Sequence, residues 1–130
     1  MTPLLVFLGA GAGGVVRYYI EVLSARWFGT AFPYGTLFIN VAGGLAMGLL
    51  AGWFAFRAGA GGSLLSHERW QALIGVGVLG GFTTFSTFSL EVVMLWKRGE
   101  MALAAGYAAL SVVLAVGALA AGLWLARSAA

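Results

Sequence analysis

Four long apolar blocks follow one another along the chain, at about residues 3–23, 35–56, 70–96 and 101–126, with polar stretches at 24–34, 57–69 and 97–100 between them. Each block reaches the roughly 20 residues that an α-helix needs to cross a bilayer. Pro3 suits the first turn of the first helix. The second block carries no charge at all. The third differs from the others. Its middle reads Gly80-Gly81-Phe82-Thr83-Thr84-Phe85-Ser86-Thr87-Phe88-Ser89, two glycines and five hydroxyls in ten residues. Paired glycines weaken a helix, and Ser/Thr hydroxyls compete for backbone groups. Irregular backbone at membrane depth is tolerated only where protein or a water-filled path covers it. The pattern therefore predicts an all-α membrane protein of four transmembrane helices, one domain over 1–130, its third helix broken near the middle and lining a route for something small and polar.

The connections add detail. Gly59-Ala60-Gly61-Gly62-Ser63 predicts a flexible middle connection, and Ser66 is placed to cap the third helix with Glu68 in its first turn. Trp27, Trp53, Trp70, Trp96 and Trp124 all fall near span ends, as an aromatic belt at the two membrane interfaces requires. Gly9 with Gly13, Gly44 with Gly48 and Gly52, and Gly77 with Gly81 recur at four-residue spacing, which lets helix backbones approach closely. Gly9, Gly11 and Gly14 also match GxGxxG. No strand–helix–strand unit surrounds them and no acid follows about 20 residues on, so they read as a packing face.

Composition narrows the function. Apolar residues make up 62% of the 130 and charged residues 8%, against about 25% charged in soluble domains. No soluble domain fits beside four spans. Seven basic residues with no run longer than Lys97-Arg98 give no nucleic-acid footprint. The absence of cysteine removes disulfide and thiol chemistry. Met1-Thr2-Pro3 lacks the positive start of a secretory signal, so the first block reads as a retained span. One histidine (His67), no aspartate and four scattered glutamates offer no hydrolytic or metal constellation, so no enzyme is expected.

Charge also bears on orientation. With both termini on one side, that side holds Arg57, Arg69 and Arg127, and the other holds Arg26, Lys97 and Arg98. A three-to-three balance gives no bias for the positive-inside rule to read. It suggests insertion in both directions and an antiparallel homodimer, or a weak bias read correctly by the cell.

Few polar residues lie inside the spans. Asn40 needs hydrogen-bond partners in hydrocarbon and serves either an interhelical bond or a polar path. Arg17 and Glu21, four apart on the first helix, can pair with each other or snorkel to the nearby interface. Glu91 lies past the break, where it can face an aqueous vestibule. Phe82, Phe85 and Phe88 share one helical stripe, and Thr84, Thr87 and Glu91 a second. Aromatic rings have positive edges. Edges together with hydroxyl and amide donors make a weakly electropositive lining that can replace part of an anion's hydration without trapping it. Backbone carbonyls freed at the break could equally serve a cation.

These residues carry a resemblance. Gly13-Gly14-Val15-Val16-Arg17-Tyr18, then Pro33-Tyr34-Gly35-Thr36-Leu37-Phe38-Ile39-Asn40-Val41-Ala42-Gly43, then Gly80 through Phe88, with Tyr107 and Ser111 in the fourth span, closely resemble the Fluc/CrcB family of fluoride channels over the whole chain. The resemblance implies passive, selective fluoride export across the bacterial cytoplasmic membrane by a dual-topology antiparallel homodimer with two pores, each lined by both subunits. It implies pore roles for Asn40, Phe85, Phe88, Tyr107 and Ser111, with Thr36, Thr84, Thr87 and Glu91 on the polar track or in the vestibules, and a structural place for Arg17. It further implies a structural sodium ion at the dimer centre, held by the carbonyls of Gly80 and Thr83. Some relatives carry a second hydroxyl one turn after Ser111, where this chain has Ala115. Two other classes compete. A proton-coupled transporter of the small multidrug type shares the span count and charge balance but wants a carboxylate in mid-span. A non-conducting assembly factor explains the glycine faces but not Asn40, the hydroxyls and the phenylalanines together.

Overall fold

The computed structural model describes residues 1–56 and 64–129. Helix α1 spans Thr2–Phe28 and α2 spans Tyr34–Phe56. The third span enters as helix α3, residues 64–82, made of an α-helical turn pair Leu64–Trp70, a π-helical stretch Gln71–Leu79 and a closing turn Gly80–Phe82. It resumes as α4, Phe85–Lys97, and α5 covers Met101–Ser128. Four helical segments, with His67–Lys97 counted as one, are long and apolar enough to cross a membrane. No strand occurs among the described residues.

The ends of the helices follow local chemistry. Gly29 stops α1 with φ of +76°, its amide closing on the Ala25 carbonyl at 3.0 Å. The first helix therefore runs five residues beyond the apolar block, through Phe28. Gly99, at φ of +82°, ends α4. Its amide donates to Trp96 at 2.9 Å and that of Glu100 to Leu95 at 3.1 Å, the paired bonds of a Schellman motif. Two helices are thus reversed within a few residues. Ser66 lies inside α3, which already begins at Leu64, so it does not occupy the capping position expected of it. The Gly59–Ser63 connection falls outside the described residues.

The break in the third span is real but displaced from the glycine pair. Gly80 and Gly81 remain helical. The interruption comes at Thr83 (φ −76°, ψ 155°) and Thr84 (φ −149°, ψ 125°), both extended. Gly81 serves close packing instead: a Cβ on it would sit on the backbone of Ala10 in α1, while a Cβ on the exposed Gly80 would meet only the Gly75 carbonyl at 3.8 Å. The break also splits the expected phenylalanine stripe. Phe82 closes α3 and packs beside Gly43 of α2, while Phe85 and Phe88 belong to α4.

Packing follows two seams. Helix α1 lies along α3, and α2 lies along α5; α4 rests on α5, and an α1–α2 contact joins the two halves. The glycines at four-residue spacing form these seams. On α2, a Cβ at Gly48 would collide with the Leu119 carbonyl of α5. On α1, a Cβ at Gly13 would collide with the Val78 carbonyl of α3. Gly11 and Gly14 meet nothing within 4 Å, so the working spacing is Gly9 to Gly13 and not GxGxxG. A compact apolar cluster of Phe88, Leu95, Ala104 and Tyr107 fixes α4 against α5. All five tryptophans are exposed near the ends of the membrane-crossing segments, as expected of interface anchors.

Gly48→Val should therefore lower stability by about 1–3 kcal/mol or more, because backbone cannot retreat from the added atoms. Gly11→Ala should leave stability unchanged or raise it by up to about 1 kcal/mol. Thermal unfolding of the purified protein, followed by size-exclusion chromatography, separates the two.

Candidate functional site

A helix interrupted at membrane depth must place every backbone group that leaves the ladder. In a continuous helix the Thr84 amide would bond the Gly80 carbonyl. It donates instead to Asn40 Oδ1 at 2.9 Å, and Asn40 Nδ2 donates back to the Thr84 carbonyl at 2.9 Å. One side-chain amide thus closes on both polar groups of an extended residue. The Thr84 hydroxyl caps α4, accepting the Thr87 amide at 3.2 Å and donating to the Thr87 hydroxyl at 3.1 Å. Arg17 Nη1 donates to the Thr83 carbonyl at 3.3 Å. Arg17 therefore turns inward to the break rather than snorkelling or pairing with Glu21, whose Oε1 is buried without a hydrogen-bond partner. The Gly80 and Thr83 carbonyls have both lost their helical partners, the amides of Thr84 and Thr87.

A second cluster forms around Glu91. Its Oε1 accepts the Thr36 hydroxyl at 2.7 Å and its Oε2 accepts the Tyr107 hydroxyl at 2.6 Å. Both donors are 1% exposed. Three helices, α2, α4 and α5, converge on this one carboxyl group. Tyr107 in turn packs on Phe88 at 5.4 Å between centroids and edge-on to Phe32 at 5.4 Å.

Two concavities flank this cluster. A groove of about 380 Å³ is walled by Asn40, Thr83, Thr84, Phe85, Phe88 and Ser111, and its far end is lined by Met47 and Ala115. Phe85 and Phe88 lie 5.5 Å apart at an interplanar angle of 46°. Phe88 is 8% exposed and Phe85 76% exposed. The Ser111 hydroxyl is buried with no hydrogen-bond partner among the described residues. Asn40 has one amide hydrogen beyond the one given to Thr84. A vestibule of about 240 Å³ lies on the other side, where Thr36 and Glu91 meet Glu21, Ser24, Thr30 and Arg98. From vestibule to groove the polar groups run as a ladder: Glu91 with Thr36, then Tyr107, then Ser111 beside Phe88, then Asn40.

The structure thus gathers the expected site residues into two connected groups. Thr36, Glu91 and Tyr107 form one; Asn40, Thr84, Phe85, Phe88 and Ser111 form the other. Thr87 supports the cap of α4. Gly80 is exposed on the face of α3. The sequence reading did not single out Gly43, which receives the Thr83 methyl, nor Arg98, which it counted only for orientation. Arg98 stands seven residues after Glu91, two turns along the same helical face, and that spacing could have revealed it. The groove lining holds the neutral polar side chains of Asn40, Thr83, Thr84 and Ser111 beside the rings of Phe85 and Phe88. No group of three His, Cys, Asp or Glu able to hold a metal occurs among the described residues.

Comparison with known proteins follows the same line. Residues 4–123 match the family model described as CrcB-like protein, Camphor Resistance (CrcB). The chain is 51% identical over 128 residues to a protein of Rhodopseudomonas palustris (strain BisB5) named fluoride-specific ion channel FluC, with 98% of each chain covered. It is 52% identical over 127 residues to fluoride-specific ion channel FluC 2 of Nitrobacter hamburgensis, again covering 98% of each. A Caulobacter sp. (strain K31) protein of the FluC name is 49% identical over 128 residues, covering 98% of this chain and 96% of its own. The chain belongs to the CrcB family.

Asn40→Asp tests the clamp. The carboxylate keeps an acceptor for the Thr84 amide but loses the donor to the Thr84 carbonyl and faces it with negative charge. The expected result is a loss of about 1–3 kcal/mol in stability, read as a lower unfolding temperature. A melting curve identical to that of the parent would show that the break does not rest on this pair.

Proposed function

We propose that the chain is a fluoride-selective passive ion channel. The carrying observation is the run of neutral donors, Thr36 and Tyr107 on Glu91, then Ser111 and Asn40, with the Ser111 hydroxyl unpartnered among the described residues and the Phe85–Phe88 pair in the groove wall. Relatives of about half identity, aligned over nearly all of the chain, are named fluoride-specific ion channels. Fluoride is small and strongly hydrated. A path that takes it from water must offer several weak donors in succession, each good enough to enter and weak enough to leave. Hydroxyl, amide and ring-edge groups meet that need; a buried lysine or arginine would bind too tightly. Channels of this kind are not enzymes. The proton-coupled multidrug reading is not favoured: Glu21 borders the vestibule toward the end of α1, away from mid-span.

The assembly reading builds on this function. The groove is open along one side, Phe85 stands 76% exposed beside it, and Gly80 is exposed next to the break. A second copy laid antiparallel would cover these surfaces and complete two pores, each lined by both subunits. The balanced charges at the span ends support insertion in both directions, and the bacterial cytoplasmic membrane is the setting in which a passive exit for accumulated fluoride is useful.

A structural sodium ion fits the same arrangement. Hard cations take oxygen ligands, and the Gly80 and Thr83 carbonyls have left the helical ladder. Arg17 occupies one lone pair of the Thr83 carbonyl, and the second remains. Two such carbonyls from each protomer would meet at the dimer axis. Bound there, the ion would satisfy the backbone of the break and tie the protomers together.

Efflux from proteoliposomes tests the function directly. Fast fluoride loss with negligible chloride loss is expected under matched gradients. No fluoride loss from well-folded protein would refute the channel and turn attention to proton-coupled export of organic cations. Phe85→Ile and Phe88→Ile should each cut fluoride flux by roughly threefold to tenfold while the dimer stays assembled; unchanged flux in both would remove the rings from the path. For the assembly, a tag at the C-terminus should be accessible from both sides of the membrane, and labelling from one side only would sink the antiparallel dimer.

A further inference from the structure

The vestibule holds two carboxylates in different circumstances. Glu91 has a donor on each oxygen, Thr36 on one and Tyr107 on the other. Glu21, across the same cavity on α1, has a buried Oε1 with no hydrogen-bond partner among the described residues. Helix α2 presses against it. Gly35 lies so close that a Cβ there would come within 3.3 Å of the Glu21 Cα and 3.1 Å of the Ser24 Cβ. The charged and titratable groups facing Glu21 are Arg17 on its own helix, Tyr34 of α2, Glu91 of α4 and Arg98 at its C-cap, with Tyr107 of α5 reaching the cavity through Glu91. Arg17 gives its Nη1 hydrogen bond to the Thr83 carbonyl and acts on Glu21 through its charge. Arg98 is the cation that lines the vestibule itself.

We propose that Glu21 sets the rate and pH dependence of anion entry through this vestibule, opposed by Arg98. The proposal rests on the channel reading. Ionised, Glu21 places a negative charge, offset only in part by Arg17 and Arg98, beside the first donors of the path and raises the energy of any anion there. Protonated, it becomes neutral and offers one O–H donor. Arg98 lowers the same barrier by partial cancellation. The sign follows: lowering the pH should raise the rate at which a given fluoride concentration is conducted. Glu21 is a charge-setting residue at the mouth, distinct from Glu91, whose oxygens are engaged in holding Thr36 and Tyr107.

Fluoride efflux from proteoliposomes at low ionic strength, corrected for protein-free vesicles, decides it at about pH 8 and about pH 5. Glu21→Gln, which keeps the side chain's shape, should exceed the parent by roughly twofold to thirtyfold at the higher pH, with the difference shrinking at the lower. Arg98→Gln should slow the parent and have a smaller effect when combined with Glu21→Gln. Flux in Glu21→Gln equal to or below that of the parent at both pH values overturns the proposal. So does an Arg98→Gln channel as fast as the parent, a result that counts even where Glu21→Gln fails to assemble. A parent that conducts no fluoride at either pH would instead bring down the channel reading, and this inference with it.

Discussion

The clamp between Asn40 and Thr84 is the interaction on which the rest of the molecule depends. Two extended residues at membrane depth release backbone donors and acceptors into a medium without water, where each unsatisfied group costs several kcal/mol. Asn40 returns both hydrogen bonds of Thr84 within one side chain. The Thr84 hydroxyl caps the resumed helix, and Arg17 takes the Thr83 carbonyl. Remove this set and the third span has every reason to close into continuous helix. The Gly80 carbonyl would then regain its amide partner, and the groove wall formed by Thr83 and Thr84 would be lost. The same side chains that permit the break are those that border the polar path.

That clamp imposes demands on the remaining helices. Asn40 sits on α2 and Arg17 on α1, so both helices must pass within side-chain reach of one point in the third span. Ordinary side chains along the contacts would hold the axes too far apart. The glycine seams solve this: Gly9 and Gly13 bring α1 onto α3, while Gly43 gives the Thr83 methyl its space against α2. The seam of Gly44, Gly48 and Gly52 anchors α2 to α5, and α5 carries Tyr107 and Ser111 to the path. In the absence of a hydrophobic drive between helices in lipid, such close backbone contact is the main source of association.

Much of this was legible because membrane burial makes polar residues informative. Asn40, alone in an uncharged block, had to have a purpose, and the four spans followed from apolar length alone. The break was readable in kind but not in place. Helix weakness pointed to Gly80-Gly81, yet these glycines stay helical; the interruption falls where Asn40 can hold the backbone, and a partner 44 residues away leaves no local signature. The snorkelling weighed for Arg17 failed for the same reason. Its position near the end of the apolar block suggested the interface, but α1 continues to Phe28 and the guanidinium finds a carbonyl inside. The single phenylalanine stripe also presumed an unbroken helix, and the break sends Phe82 to α2 and leaves Phe85 and Phe88 on the groove.

A carboxylate beside an anion path looks contradictory until its partners are counted. Glu91 accepts two short hydrogen bonds, and the donors, Thr36 and Tyr107, are thereby oriented and held in place across three helices. Hydrogen bonding at both oxygens lowers the cost of keeping an acidic group in a membrane interior. Its charge is spread over two hydroxyls, one of which begins the sequence Tyr107, Ser111, Asn40 that leads through the wall. Selectivity for a small anion then needs no fixed positive charge at the narrowest part. On the proposed reading it needs several individually weak donors, so that an ion with a tightly bound hydration shell gains enough to enter and can still leave. The groove wall traces back to the clamp at Thr84, which fixes the start of α4 and with it the position of the Phe85 and Phe88 rings.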